Sequence, residues 1–147
     1  PTGETLTPDT LVTTNSATQT LTANAPVTFA SNAETQGDSI AHTENTANIT
    51  LNEEGLYILY YNGQITGSGT ATYPLTATVA VYQDGNRIND SSTSARLNSS
   101  GQQRRVSGDT AIRVSVGASS VPSTITLRNE TNNITWNYAE IIVGKIL

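Results

Sequence analysis

Glu53-Glu54-Gly55-Leu56-Tyr57-Ile58-Leu59-Tyr60-Tyr61 is an acidic turn followed by an unbroken apolar and aromatic run, in a chain with only six Tyr, one Phe and one Trp. Read with the period of a strand, Leu56, Ile58 and Tyr60 fall on one side and Tyr57, Leu59 and Tyr61 on the other. An antiparallel strand with one solvated face alternates apolar with polar residues, and this one does not. Both faces call for cover, one by the domain's own core and the other by a neighbouring subunit.

The closing segment, Trp136 to Leu147, poses the same problem. Ala139, Ile141 and Val143 share one side, Tyr138, Ile142 and Ile146 the other, so both sides are apolar. Two such strands in one sandwich imply a sheet whose outer face is buried by self-association through a core-like interface.

Short alternating segments between turn clusters fill the rest of the chain. Leu11–Thr14, Gln19–Thr22 and Pro26–Phe29 precede a loop through Gly37-Asp38, and Asn48–Leu51 leads into the acidic turn. Leu75–Tyr82 alternates Ala77, Val79 and Val81 with Thr76, Thr78 and Ala80, and ends at Asp84-Gly85-Asn86, a strong hairpin signal. Asn89–Gln103 is the most polar stretch, with Arg96 and Leu97 as its strand residues. Half-buried strands follow at Ile112, Val114 and Val116, and at Ile125 and Leu127. No segment sustains a helical period. These spacings predict an all-β domain of eight to ten antiparallel strands, a sandwich or jelly roll.

Composition agrees. The 147 residues fit one domain, charged residues make up 13% of the chain, and Thr, Ser and Asn fill the polar positions that charge usually takes. The absence of Cys excludes disulfides, thiolate nucleophiles and zinc-thiolate sites. Twelve acids against seven cations give a net charge of −5, which repels a nucleic-acid backbone; Arg104-Arg105 is the one basic pair. No apolar run approaches the ~18 residues of a membrane span, so no membrane insertion is expected. A single Lys, scarce charge and abundant Thr and Asn suggest an extracellular bacterial or phage surface protein.

Residues 1–10 carry two prolines and read as a linker, leaving a head domain at 11–147. Pro1-Thr2-Gly3 has the form of the end of a Gly-X-Y repeat, or of an ordinary Pro/Gly linker.

Gly55-Leu56-Tyr57-Ile58-Leu59-Tyr60 after its acidic turn resembles the third-strand signature of the complement 1q and tumour-necrosis-factor-like jelly rolls. Tyr138-Ala139-Glu140-Ile141-Ile142-Val143-Gly144-Lys145-Ile146-Leu147 is similar to the final strand of the collagen-like exosporium glycoproteins of spore-forming bacteria, whose central hairpin the Asp84-Gly85 turn also fits. The resemblance implies a ten-strand antiparallel jelly-roll sandwich that forms a homotrimer about a three-fold axis and caps a collagen-like stalk. It implies that Ile58 and Tyr60 face the axis while Tyr57 and Leu59 fill the core. The trimer-interface candidates are Ile58, Tyr60, Ile141 and Val143.

Sites for chemistry are few. Gly37-Asp38-Ser39-Ile40 superficially resembles a hydrolase nucleophile block, but Glu34-Thr35-Gln36 does not read as a buried strand, and the only His, His42, follows three residues after the serine. A surface loop is the expected reading. With one His there is no His-based metal or acid/base site, and Asp38, Asp84, Asp90 and Asp109 read as turn formers without a calcium-loop spacing. The Asn-x-Ser/Thr triplets at Asn48, Asn89, Asn98, Asn129 and Asn133 arise by chance in such a composition.

The expectation is a non-enzymatic head of a bacterial collagen-like surface or spore exosporium filament, without cofactor or catalytic residue. It would set trimer registration and serve display or adhesion toward a host-surface or glycan ligand. The rivals are a phage tail-fibre or lectin-like receptor-binding head and, from another class, a surface hydrolase.

Overall fold

The computed structural model describes residues 8–115 and 121–147. Pro1-Thr2-Gly3 and Val116 lie outside the described residues. The described chain folds into β1 (Thr10–Asn15), β2 (Gln19–Leu21), β3 (Ala25–Pro26), β4 (Ser31–Gln36), β5 (Ile40–His42), β6 (Ile49–Leu51), β7 (Gly55–Gly67), β8 (Leu75–Gln83), β9 (Asn86–Arg87), β10 (Thr93–Leu97), β11 (Arg104–Val114), β12 (Ser123–Asn129) and β13 (Ile134–Lys145), with one 3₁₀ turn at Asn89–Ser91.

Ten of these strands make two five-stranded antiparallel sheets. Sheet A runs β11-β7-β13-β1-β4 and sheet B runs β10-β8-β12-β6-β5, while the short β2, β3 and β9 add to β13, β12 and β8. This is the ten-strand antiparallel jelly roll expected from the sequence.

The core lies between the sheets. Tyr57, Leu59, Tyr61 and Ile65 of β7 enter it from one side, with Leu11, Val106, Ile112, Trp136, Ala139, Ile141 and Val143 from the same sheet. Ala77, Val79, Val81, Ile125, Leu127 and Ile49 meet them from sheet B. The two core tyrosines satisfy their polar ends: Tyr57 donates to the Glu53 carbonyl at 2.7 Å and Tyr61 to the Ser91 carbonyl at 2.6 Å. Burial pushes both phenols above their ordinary pKa.

Gly63 makes room for the largest core side chain. A Cβ there would overlap the Trp136 ring, whose Nε1 donates to Asn129 Oδ1 at 3.3 Å. At the β8–β9 hairpin, Asp84 and Gly85 both take positive φ, 51° and 83°, the pattern of a type I′ turn. Gln83 and Asn86 pair across it.

β1 opens at Thr10, and just before it the Asp9 carbonyl accepts from the Lys145 amide at 3.0 Å. The loop through Gly37-Asp38 is a tight connection between two strands, β4 and β5. β4 is an edge strand exposed on most of its length, so Ser31–Gln36 shows no apolar alternation.

Candidate functional site: the outer face of sheet A

The strand that sets the fold also sets this face. Along β7, Tyr57 and Leu59 have no exposure, whereas Ile58 is 41% and Tyr60 39% exposed. The pleat alone produces that split.

The ladder pairs extend it sideways. Tyr60 faces Asp109 of β11 on one side and Ile142 of β13 on the other; Ile142 in turn faces Val12 of β1, and Val12 faces Glu34 of β4. One row across the sheet therefore reads Asp109, Tyr60, Ile142, Val12, Glu34, an apolar centre between two carboxylates. The next row toward the chain ends is Ala111, Ile58, Gly144, Thr10, Gln36, and beyond it Arg113 faces Leu56. Ile146, 54% exposed, is held beside Leu56 by its amide, which donates to the Leu56 carbonyl at 2.8 Å. On the other flank Asn62 donates to Glu140 Oε1 at 2.7 Å, where the surface turns polar.

Of the four interface candidates, the structure brings Ile58 and Tyr60 onto this face and places the other two elsewhere. Ile141 and Val143 are wholly buried inside the protomer, between the sheets. The reason is a register shift in β13 between Trp136 and Tyr138. Before it Ile134 and Trp136 point inward, and after it Ala139, Ile141 and Val143 do, so the outward residues are Tyr138, Glu140 and Ile142. Ile142 and Val12, outside the candidate set, share this face with Ile58 and Tyr60. Parity along each strand was the available signal.

At the lower end of the face Asp9, just before β1, meets Lys145 at the end of β13. The Asp9 carboxylate accepts from the Ser39 amide at 3.0 Å and from the Ser39 hydroxyl, and a side chain at Gly37, which sits at φ 76°, would collide with it. The Ser39 hydrogen bonds hold the Asp9 carboxyl below its usual pKa range, with Lys145 adding a smaller attraction.

Ser39 is therefore wholly buried, not a surface-loop residue as expected. Its hydroxyl is engaged by Asp9, while His42 directs Nδ1 at Asn32 Oδ1, 2.6 Å away, and Nε2 at the Thr46 carbonyl, 2.8 Å away. The serine and histidine of the hydrolase-like stretch are thus committed to different partners. The loop aspartates also stay apart: Asp84 accepts from the Thr124 amide and the Ser123 hydroxyl, both at 2.8 Å, whereas Asp109 borders Tyr60. Among the described residues, no three His, Asp or Glu side chains gather as a metal site would require.

At the level of sequence the chain matches no protein-family model and no curated protein. In structure it is similar to the globular domain of zebrafish complement 1qA protein, with a TM-score of 0.67 at 12% identity over 96% of this chain and 98% of that one. Murine APRIL gives a TM-score of 0.69 at 11% identity over 95% and 100% of the two chains. The Eiger TNF of S. frugiperda gives 0.70 at 12% identity over 95% and 92%. At these identities the likeness concerns the fold, and it spans nearly the whole of both partners. The chain has the jelly-roll fold of the complement 1q and tumour-necrosis-factor domains.

Proposed function

We propose that the chain is the non-enzymatic head of a bacterial collagen-like surface or spore exosporium filament, working outside the cell as a homotrimer that sets chain registration and displays an adhesive surface. The observation that carries this reading is the outer face of sheet A. Leu56, Ile58, Tyr60, Ile142 and Val12 form one contiguous apolar surface across three neighbouring strands. Such a surface, rimmed by Asp109, Glu34 and Glu140, marks an interaction site. A second and third copy of the same chain is its simplest cover, in keeping with the resemblance to trimeric jelly rolls. The composition, rich in Thr and Asn and free of Cys, supports the bacterial surface setting.

Light scattering on the isolated chain at micromolar concentration tests the assembly: three times the 15.5 kDa chain mass is expected, and a stable monomer overturns it. The source gene upstream of the Pro1 codon tests the setting. Gly-X-Y repeats are expected there; a fibre shaft would point instead to a phage receptor-binding head.

A further inference from the structure

The chain holds seven cations against twelve acids, and three of the seven lie along one edge of the sandwich. Arg96 lies near the end of β10, while Arg104 and Arg105 open β11. Arg104 reaches across the edge of the sandwich and donates from Nε to the Arg96 carbonyl at 3.2 Å. Leu97 is buried next to Arg96 and Val106 next to Arg105, so by the pleat Arg96 leaves sheet B outward and Arg105 leaves sheet A outward opposite Gln64, past the polar flank at Asn62 and Glu140 that bounds the apolar face. The three exposed side chains form an arc around the edge where the two sheets meet. Arg96 Nε also donates to Asn98 Oδ1 at 3.1 Å. None of the three is ion-paired among the described residues, where the one salt bridge is Arg87 with Glu130.

The arc sits at the far end of the head. Arg104 pairs with Ile65, and Val114 at the other end of β11 pairs with Gly55, ten residues back along β7. At about 3.3 Å per residue that is a separation of roughly 30 Å. Asp9, Asp38, Glu53, Glu54 and Asp84 lie toward the Gly55 end, where they outnumber the two cations Arg113 and Lys145. The head is thus polarised along β7, with an excess of acids at the Gly55 end and of cations at the opposite tip.

We propose that the Arg96, Arg104 and Arg105 arc binds an anionic polysaccharide, gripping its carboxylate or sulfate groups. A guanidinium presents its donors in a planar fork that matches either group. One exposed pairing contributes little. A polymer that engages three cations at once, and three arcs in a trimer, gains through multivalency. The connecting residues Asn98, Ser99, Ser100, Gln102 and Gln103 supply neutral hydrogen-bonding groups suited to sugar hydroxyls. A nucleic acid fits less well, because residues 96–105 contain no aromatic ring on which a base could stack.

The test uses the whole chain with dextran sulfate, polygalacturonate, neutral dextran and double-stranded DNA at low and physiological salt. Oligomeric state is read on the same samples, so failure of the trimer and failure of this site are separate results. Binding to dextran sulfate or polygalacturonate and not to dextran is expected, and which of the two binds tells sulfate from carboxylate. The Arg104→Gln/Arg105→Gln variant should bind at least about tenfold more weakly. Arg128→Gln/Lys145→Gln, which removes as much charge elsewhere, should bind as the parent does; Arg96→Gln is a second arc variant that leaves β11 untouched. No binding to either polyanion, equal losses in the two double variants, parent-like binding by Arg96→Gln together with Arg104→Gln/Arg105→Gln, or DNA binding as tight as polysaccharide binding each overturns the proposal.

Discussion

Tyr60 and Ile142 stand directly opposite each other in the β7–β13 ladder, and both side chains leave the sandwich on its outer face. Their neighbours Leu59 and Val143 are also opposite each other and wholly buried. Two pairs one residue apart thus face opposite sides of sheet A, and substitutions can separate the core from the proposed assembly surface. Tyr60→Glu should dissociate the proposed trimer while leaving a folded protomer, because a carboxylate set beside Asp109 and buried in a desolvated interface has no compensating partner and costs several kcal/mol in each of three copies. Leu59→Ala should keep the trimer and lose ~2–5 kcal/mol of fold stability through a core cavity. Light scattering and thermal melting on both variants decide; swapped phenotypes would place the assembly surface on the wrong side of β7.

The register shift in β13 makes a second pair. Ile142→Glu is expected to abolish assembly, whereas Ile141→Ala should leave the oligomer intact and lower stability by ~2–5 kcal/mol. A monomeric Ile141→Ala with parent-like thermal stability would mean that Ile141 faces outward after all.

Acid should loosen the head from two places. The Ser39 hydrogen bonds lower the Asp9 pKa, and the Arg87 guanidinium, helped by the Tyr82 hydroxyl, lowers that of Glu130. A carboxylate whose folded pKa lies below its unfolded value contributes stability that is complete above the unfolded pKa, about 4. That contribution is lost as pH falls through the folded pKa. Stability should therefore hold from neutral pH to about 5 and decline below 4. Asp9→Asn should be less stable than the parent at pH 7, with the gap closing in acid; denaturant melts across pH 2–7 would show it, and a constant gap would remove Asp9 as a source.

Gly63→Ala should destabilise the fold by about 1–3 kcal/mol, because its methyl group would press on the Trp136 ring and on the Tyr138 carbonyl. Near-ultraviolet circular dichroism should report the disturbed Trp136 before global unfolding. An unchanged spectrum and melting point would show that the ring can shift aside.

Ser39→Ala separates structure from catalysis. Removing the hydroxyl that Asp9 accepts from should lower thermal stability, and no esterase turnover on generic acyl esters is expected of the parent or the variant. Turnover in the parent that vanishes with Ser39 would restore the hydrolase reading.

Much of this architecture follows from local pattern alone. The unbroken run Leu56–Tyr61 fixes a strand with two apolar faces, and Asp84-Gly85 fixes a hairpin turn, because pleat and turn geometry act over a few residues and need no partner. Leu75–Gln83 and Ser123–Asn129 were legible for the same reason, since each alternates toward a single core. Ser31–Gln36 was not legible, because an edge strand with most side chains in solvent is ordered by its ladder to β1 and leaves no hydrophobic period to read.

The tertiary structure decided which of two apolar faces of β13 met the core. Period two separates Ile141 from Ile142 but assigns neither to a side, and the shift at Trp136 and Tyr138 exists only in the pairing with β7. The burial of Ser39 against Asp9, thirty residues away, is likewise a contact between distant segments, and the bond from Arg104 to the Arg96 carbonyl joins strands of different sheets. Local sequence can specify how a strand alternates, whereas the direction in which it faces, and what it meets there, is set by the energy of packing the two sheets together.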